Sequence, residues 1–104
     1  MNFDEYQSEA KKTAIYPQSA KITYPIIGLA GEVGELCNKY KKTIRDGRVL
    51  DKEEIAGEIG DIAWYLAMVC EDFGVSFDEV ARKNIEKLKD RQSRGAIKGS
   101  GDNR

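Results

Sequence analysis

The amino-acid sequence predicts an all-α fold, a four-helix bundle-like arrangement in one domain. Apolar residues recur at helical spacing in four segments, and the alternating stretches that would indicate strands are scarce. A chain of 104 residues is long enough for one hydrophobic core. We therefore expect a single helical domain over residues 1–92, followed by a basic, glycine-rich tail over residues 93–104.

The first two helices are predicted on either side of a short connector. The first is expected over residues 2 to about 14, where apolar residues form one stripe and acidic residues favour the N-terminal end. It ends at Tyr16, because a residue that precedes proline avoids helical backbone. Pro25 is compatible with the first turn of the second helix, which is predicted to run to about Ile44.

The last two helices are predicted from their capping residues. Asp51, with Glu54 three residues later, resembles a capping box and starts the third helix near residue 52. Gly74 is a typical C-terminal stop, so this helix should end at about Phe73. A second capping box at residues 76–79 starts a fourth helix that runs to about residue 92. Its apolar positions fit the core stripe: Phe77, Val80, Ala81, Ile85 and Leu88.

One acidic motif occurs twice, once in each central helix. Residues 30–36 and 56–62 share the order small, small, acid, branched apolar, glycine, acid, apolar. Acids three residues apart lie on one face of a helix. If the two helices pack through their apolar arcs, four carboxylates converge into a site for hard divalent cations. These carboxylates belong to Glu32, Glu35, Glu58 and Asp61.

The apolar arcs and the glycines beside the acids carry further expectations. Two glycines in each helix cost about 1 kcal/mol apiece against alanine, so we expect close backbones or room for a ligand there. The four glycines are Gly31, Gly34, Gly57 and Gly60. The first arc contains Leu29, Val33, Leu36, Cys37, Tyr40 and Ile44. The second contains Ile55, Ile59, Ile62, Leu66, Val69 and Cys70.

Basic and polar residues follow the acidic motif in two places, and each place has two interpretations. The end of the second helix carries Lys39, Lys41, Lys42, Arg45 and Arg48. The fourth helix carries Asn84, Lys87 and Arg91 along one line. Both sets are either solvated surface or donors aimed at phosphate. Trp64 lies away from the main apolar arc, so it packs on another helix or on a second subunit, or it stacks on a base.

The composition excludes several functional classes. A net charge of −1 does not indicate a nucleic acid polymer or a membrane as partner, and no apolar run approaches the ~18 residues of a membrane span. The chain has no histidine, which excludes Ser-His-Asp and Cys-His nucleophiles and disfavours a zinc site. Cys37 and Cys70 are expected to be reduced core residues, which suits a cytoplasmic protein.

The spacing Glu32-x-x-Glu35, 22 residues, Glu58-x-x-Asp61 resembles the MazG-like all-α nucleoside triphosphate pyrophosphohydrolases. Residues 28–35 are similar to the first metal helix of the small, single-domain members. Asn84, Lys87 and Arg91 are similar to the family's late polar helix, and residues 94–104 to the tail of the short members.

The resemblance implies hydrolysis of a nucleoside or deoxynucleoside triphosphate to the monophosphate and pyrophosphate, with Mg²⁺ as cofactor and Mn²⁺ as a substitute. It also implies a bundle completed by oligomerisation into a homodimer or homotetramer. The metal-ligating and catalytic residues would be Glu32, Glu35, Glu58 and Asp61. The phosphate-binding candidates are Lys39, Lys42, Asn84, Lys87 and Arg91.

Two rival interpretations belong to other classes. A di-iron carboxylate bundle uses Glu-x-x-His motifs, which a chain without histidine does not contain. A non-catalytic helical interaction module, antitoxin-like and with an acidic patch, would show no effect of divalent metal on its melting temperature.

Overall fold

The computed structural model describes residues 1–102, and all regular structure in that range is helical. The elements in chain order are α1 (Phe3–Lys11), a 3₁₀ turn (Gln18–Ala20), α2 (Thr23–Asp46), α3 (Lys52–Phe73) and α4 (Phe77–Ser93). The all-α prediction is confirmed. The predicted tail includes Asn103 and Arg104, which lie outside the described residues.

Local capping accounts for most of the helix ends. The side chain of Ser76 accepts a hydrogen bond from the amide of Glu79 at the start of α4. Asp51 caps α3 through the amide of Glu53, so the cap is as predicted, but the expected box with Glu54 does not form. Helices α2 and α3 end at Gly47 and Gly74, which both adopt the left-handed conformation that glycine favours.

Helix α1 ends at Lys11 and not at about residue 14 as predicted, because Thr13 makes a tertiary contact outside helical geometry. The hydroxyl of Thr13 donates to the carbonyl of Ala10 at 2.7 Å and accepts from the indole Nε1 of Trp64 at 2.8 Å. Trp64 therefore packs against the segment after α1, which is the first of its three interpretations. At the other end, Asn2 and Glu5 form a capping box that the sequence analysis missed.

The core is small and lies where α1 crosses α3. Its buried apolar residues are Ala10, Ala67 and Met68, and Tyr6, Ala14, Tyr16, Trp64 and Phe77 pack around them. Gln7 is buried and joins three elements: its amide donates to Glu71 and to the carbonyl of Val75, and it accepts from the amide of Phe77. These bonds fix the α3–α4 turn against α1.

The entry to α2 is held by an unusual backbone turn. Ile22 has φ 70° and ψ −56°, and the amide of Thr23 donates to the carbonyl of Lys21 at 2.8 Å, which closes a strained γ-turn. The carboxylate of Asp72 accepts from the amide of Ile22 at 2.9 Å and from the hydroxyl of Tyr16 at 2.8 Å. Tyr16 has a raised pKa because it is desolvated and bonded to this carboxylate. The contacts of Asp72 therefore determine where α2 begins.

The predicted packing of the apolar arcs is only partly observed. Leu29 and Leu36 are half-buried, whereas several other arc members are exposed, namely Val33, Cys37, Tyr40, Ile44, Ile59 and Leu66. Cys37 is therefore not a core residue, although Cys70 is buried as predicted. In α4, Val80 and Ile85 are also exposed instead of lying in the core. The acids lie beside arcs that a single chain does not cover.

Exposed apolar residues form a regular seam along α2. The seam consists of two interleaved series with seven-residue spacing: Ile26, Val33 and Tyr40, and Ala30, Cys37 and Ile44. The accessible surface is 7599 Å², against about 5,900 Å² for a compact protein of this mass. The radius of gyration is 16.6 Å, against about 13 Å for a compact domain of this length. None of the described helices has the length and hydropathy needed to cross a membrane.

Candidate metal centre

Three carboxylates from α2 and α3 meet on one side of the α2–α3 pair. Glu32, Glu58 and Asp61 each offer an oxygen, and these oxygens lie within 4.8 Å of one another. One acid comes from the first copy of the repeated motif and two from the second. The convergence predicted from the motif is therefore present for three of the four acids.

Glu58 is the buried member of the cluster. It is 8% exposed, and among the described residues its Oε2 atom has no hydrogen-bond partner. The other two carboxylates are acceptors only when ionised, and Glu32 could donate a hydrogen bond to Glu58 only in its protonated form. A buried acceptor among like charges is costly unless a cation is present, and oxygen donors suit a hard divalent cation. The donor set and this orphaned oxygen thus fit a metal ion.

The second oxygen of Glu58 has a partner on α2. The ammonium of Lys39 lies 2.8 Å from Glu58 Oε1, and the two side chains are 37% and 10% exposed. This contact raises the pKa of Lys39, chiefly through the hydrogen bond to Glu58. Lys39 was predicted to bind the phosphates of the substrate. In this structure it contacts a carboxylate of the acidic cluster.

Burial and the neighbouring carboxylates change the ionisation of Glu32. Its pKa is raised, first by desolvation and then by the charges of Asp61 and Glu58. Repulsion within the cluster therefore disfavours the fully ionised state. A divalent cation would lower this pKa, because it compensates the charges that raise it.

Glu35 does not join the group of three oxygens. It is exposed on α2, one turn after Glu32, and its charge contributes to the raised pKa values of Glu32 and Lys39. Residues three apart on a helix differ by about 60° in direction, so one acid of such a pair reaches a neighbouring helix more readily than the other. The predicted convergence of four carboxylates is therefore observed for three.

Aromatic side chains border the carboxylates. A surface depression is lined by Glu32, Asp61, Trp64 and Tyr65, and the two aromatic rings meet edge to face with centroids 5.0 Å apart. Tyr6 approaches from α1, and its pKa is raised by burial and by the charge of Asp61. The centre therefore has a carboxylate face and an aromatic face.

The position of Tyr65 on the aromatic face depends on Gly28, to which the sequence analysis assigned no packing role. A Cβ atom on Gly28 would overlap the ring of Tyr65. By contrast, a Cβ on any glycine of the two acidic motifs would meet nothing within 4 Å. The close approach expected at those four glycines therefore occurs within this chain at Gly28, one turn before Glu32.

The donors of α4 lie against the chain's own tail. Lys87 Nζ lies 3.0 Å from Asp102 Oδ1, and Arg91 Nη2 lies 2.6 Å from the carbonyl oxygen of Asp102 and 3.3 Å from Oδ1. The side chain of Arg91 is 4% exposed. Lys87 first and Arg91 second lower the pKa of Asp102. Asn84 is exposed one turn earlier.

The structure does not bring these donors to the carboxylates. Within residues 1–102, neither a hydrogen bond nor an ion pair joins Asn84, Lys87 or Arg91 to the acidic cluster. Lys42 lines a depression at the C-terminal end of α2. Arg45 and Arg48 contact Asp46, as expected for a solvated helix end.

Comparisons with known proteins identify the family of the chain. Residues 22–95 match the family model described as the MazG nucleotide pyrophosphohydrolase domain. The chain is 40% identical, over 114 aligned positions that cover all of both chains, to the Gene 37 protein of Mycobacterium phage L5. No solved structure matches it. The matched region contains all three clustered carboxylates, and the chain belongs to the MazG nucleotide pyrophosphohydrolase family.

Proposed function

We propose that this protein hydrolyses nucleoside or deoxynucleoside triphosphates to the monophosphate and pyrophosphate, with Mg²⁺ as cofactor. The observation that carries the proposal is the cluster of Glu32, Glu58 and Asp61, in which a buried oxygen of Glu58 has no partner among the described residues. Family membership supports the choice of a nucleotide as substrate. Mn²⁺ would substitute, because it accepts the same oxygen donors.

The residues of the chain divide the chemistry between them. Glu32, Glu58 and Asp61 would hold the cation, which would bind the triphosphate and lower the pKa of a bound water. Water attacks the α-phosphorus, and the bond to the bridging oxygen of the pyrophosphate breaks. Glu35, which stands outside the cluster in this structure, would accept the proton of the attacking water. Trp64 and Tyr65 offer a stacking surface beside the carboxylates.

The phosphate-binding residues form a second part of the proposal. Lys42, Lys87 and Arg91 would neutralise the triphosphate and Asn84 would donate a hydrogen bond to it, with Lys39 at the edge of the carboxylates. The contacts of Lys87 and Arg91 with the carboxylate of Asp102 support this role, because they place both side chains beside one anionic group. Their approach to the cluster requires the tail to move or α4 of a second copy to contribute them.

We also propose that a second copy of the chain covers the seam of α2. Sustained seven-residue apolar spacing is the pattern with which helices pair. The accessible surface of the chain exceeds that of a compact protein of the same mass by about 1,700 Å². This excess is larger than the roughly 800 Å² that each partner buries in a standard interface. Sedimentation velocity tests this: Ile44→Glu, at a site that is 70% exposed in the monomer, should shift the wild-type homodimer or homotetramer towards monomer.

The catalytic proposal is tested with a panel of NTPs and dNTPs, Mg²⁺ and water labelled with oxygen-18. We expect monophosphate and pyrophosphate, with the label in the monophosphate, because attack at the α-phosphorus places the water oxygen there. Label in orthophosphate, released with a diphosphate, would place attack at the γ position and contradict the proposal. No turnover, together with no effect of Mg²⁺ on melting, would instead favour a non-catalytic interaction module.

A further inference from the structure

The two oxygens of Glu58 have different surroundings. Oε1 lies 2.8 Å from the ammonium of Lys39, whereas Oε2 is buried and has no hydrogen-bond partner among the described residues. One oxygen of the carboxylate is thus taken by a cation of the chain, and the other is buried and unpartnered among the described residues. Lys39 extends from α2, seven residues after Glu32, so the pair also links the two helices that supply the ligands.

We propose that Lys39 makes Glu58 a monodentate ligand and that it thereby selects against Ca²⁺ at the metal centre. This inference rests on the proposed metal site. An oxygen that accepts a charged hydrogen bond from Lys39 is less available to a metal ion, which leaves Oε2 as the free donor. Mg²⁺ requires near-octahedral geometry and uses single carboxylate oxygens together with waters and phosphate oxygens. Ca²⁺ takes six to eight oxygens and readily uses both oxygens of a carboxylate.

The effect is one of geometry as well as charge. The ammonium also repels a nearby divalent cation, but that repulsion acts on Mg²⁺ and Ca²⁺ alike, since both carry the same charge. A change in the ratio of the two affinities therefore reports on how many oxygens Glu58 can offer. A change in both affinities by the same factor reports only on charge.

The test compares Lys39→Met with Lys41→Met, which removes the same charge from an exposed position of the same helix. Binding of Mg²⁺ and of Ca²⁺, each alone and without nucleotide, is measured by isothermal titration calorimetry. Lys39→Met should bind Ca²⁺ more tightly and shift the ratio of Ca²⁺ to Mg²⁺ affinity by about threefold or more towards Ca²⁺. Lys41→Met should leave the ratio unchanged.

A second measurement follows the same variants in EDTA. Lys39→Met should melt below Lys41→Met, because Glu58 loses its counter-ion while remaining buried. Equal gains for both metals, or no gain in Lys39→Met, would overturn the inference while leaving the metal site in place. Absence of metal binding in the wild type would remove the proposed site and this inference with it.

Discussion

Replacing Glu32 by Gln should have opposite effects on stability with and without metal. Glu32 contributes one of the three carboxylate oxygens that lie within 4.8 Å of one another, and the neighbouring charges and desolvation raise its pKa. Without metal, the substitution removes a repelling charge and should stabilise the fold. With metal, it removes a ligand and should weaken the stabilisation that binding provides.

The magnitude follows from the distances. Two charges 4.8 Å apart repel by about 3.5 kcal/mol at an effective dielectric constant of 20. Glu32 is only half-buried and Asp61 is exposed, so solvent reduces this to a net effect of about 1 kcal/mol. That corresponds to a rise of about 4–8 °C in the melting temperature. Mg²⁺ at 100 times its dissociation constant would stabilise the wild type by about 2.7 kcal/mol.

The pH dependence of stability independently predicts the direction of the effect of Glu32→Gln in the absence of metal. A raised pKa in the folded state contributes stability below the unfolded value of 4.5, and this contribution is lost as pH rises through the folded pKa. In EDTA, the advantage of Glu32→Gln over wild type should therefore be absent below pH 4.5 and appear as pH rises.

The assay is thermal melting in EDTA and in Mg²⁺ across this pH range, with Glu86→Gln on the exposed face of α4 as the matched control. Glu86→Gln should follow the wild type under both conditions. If Glu32→Gln melted below the wild type in EDTA at pH 8, the account of a strained carboxylate cluster would be refuted.

Substitutions at three other places, Gly28, Ile22 and Asp102, test contacts elsewhere in the structure. Gly28→Ala should destabilise the protein by about 1–3 kcal/mol in denaturant melts, because the added Cβ atom displaces Tyr65. In the control Gly31→Ala the added Cβ atom meets nothing within 4 Å, so this substitution should stabilise the helix by up to about 1 kcal/mol. Ile22→Gly should be more stable than Ile22→Ala by about 1 kcal/mol, because φ at this position is 70°, and equal stabilities would contradict a strained turn. Asp102→Asn should speed trypsin cleavage within residues 94–102 at pH 8, because it removes the ion pairs with Lys87 and Arg91 that lower the pKa of Asp102. An unchanged cleavage rate would show that these ion pairs do not restrain the tail.

The helix bounds were predictable where the signal is local. Both ends of α3 match the expectation, because Asp51 and Gly74 act on their own backbone neighbours. The end of α1 was wrong, because Thr13 binds Trp64 from 51 residues further along the chain. Ile22 offered no signal at all, since a β-branched residue is among the least expected at positive φ.

The candidate site was predictable in composition but not in detail. The repeated motif predicted four acids, because helical periodicity places each acid on a known shoulder of its helix, and three of them, Glu32, Glu58 and Asp61, lie together in the structure. Which of Glu32 and Glu35 faces α3 depends on how the helices cross, and spacing within one helix does not determine that. The pairing of Lys39 with Glu58 was not predictable for the same reason, since it joins residues of different helices.

The proposed metal binding and the proposed self-association would act on the same folding equilibrium. Few apolar residues are buried within the described part of one chain, namely Ala10, Pro25, Ala67, Met68 and Cys70, so a lone copy has little core to offset the entropy of folding. A cation at Glu58 and a second copy on the α2 seam would both bind the folded state alone, and each would raise its stability by mass action. Loss of the seam would therefore weaken apparent metal affinity even though no ligand is altered. Measurements on Ile44→Glu should separate the two effects, because an unfolded fraction lowers apparent affinity for Mg²⁺ and Ca²⁺ by the same factor, whereas a change at Glu58 does not.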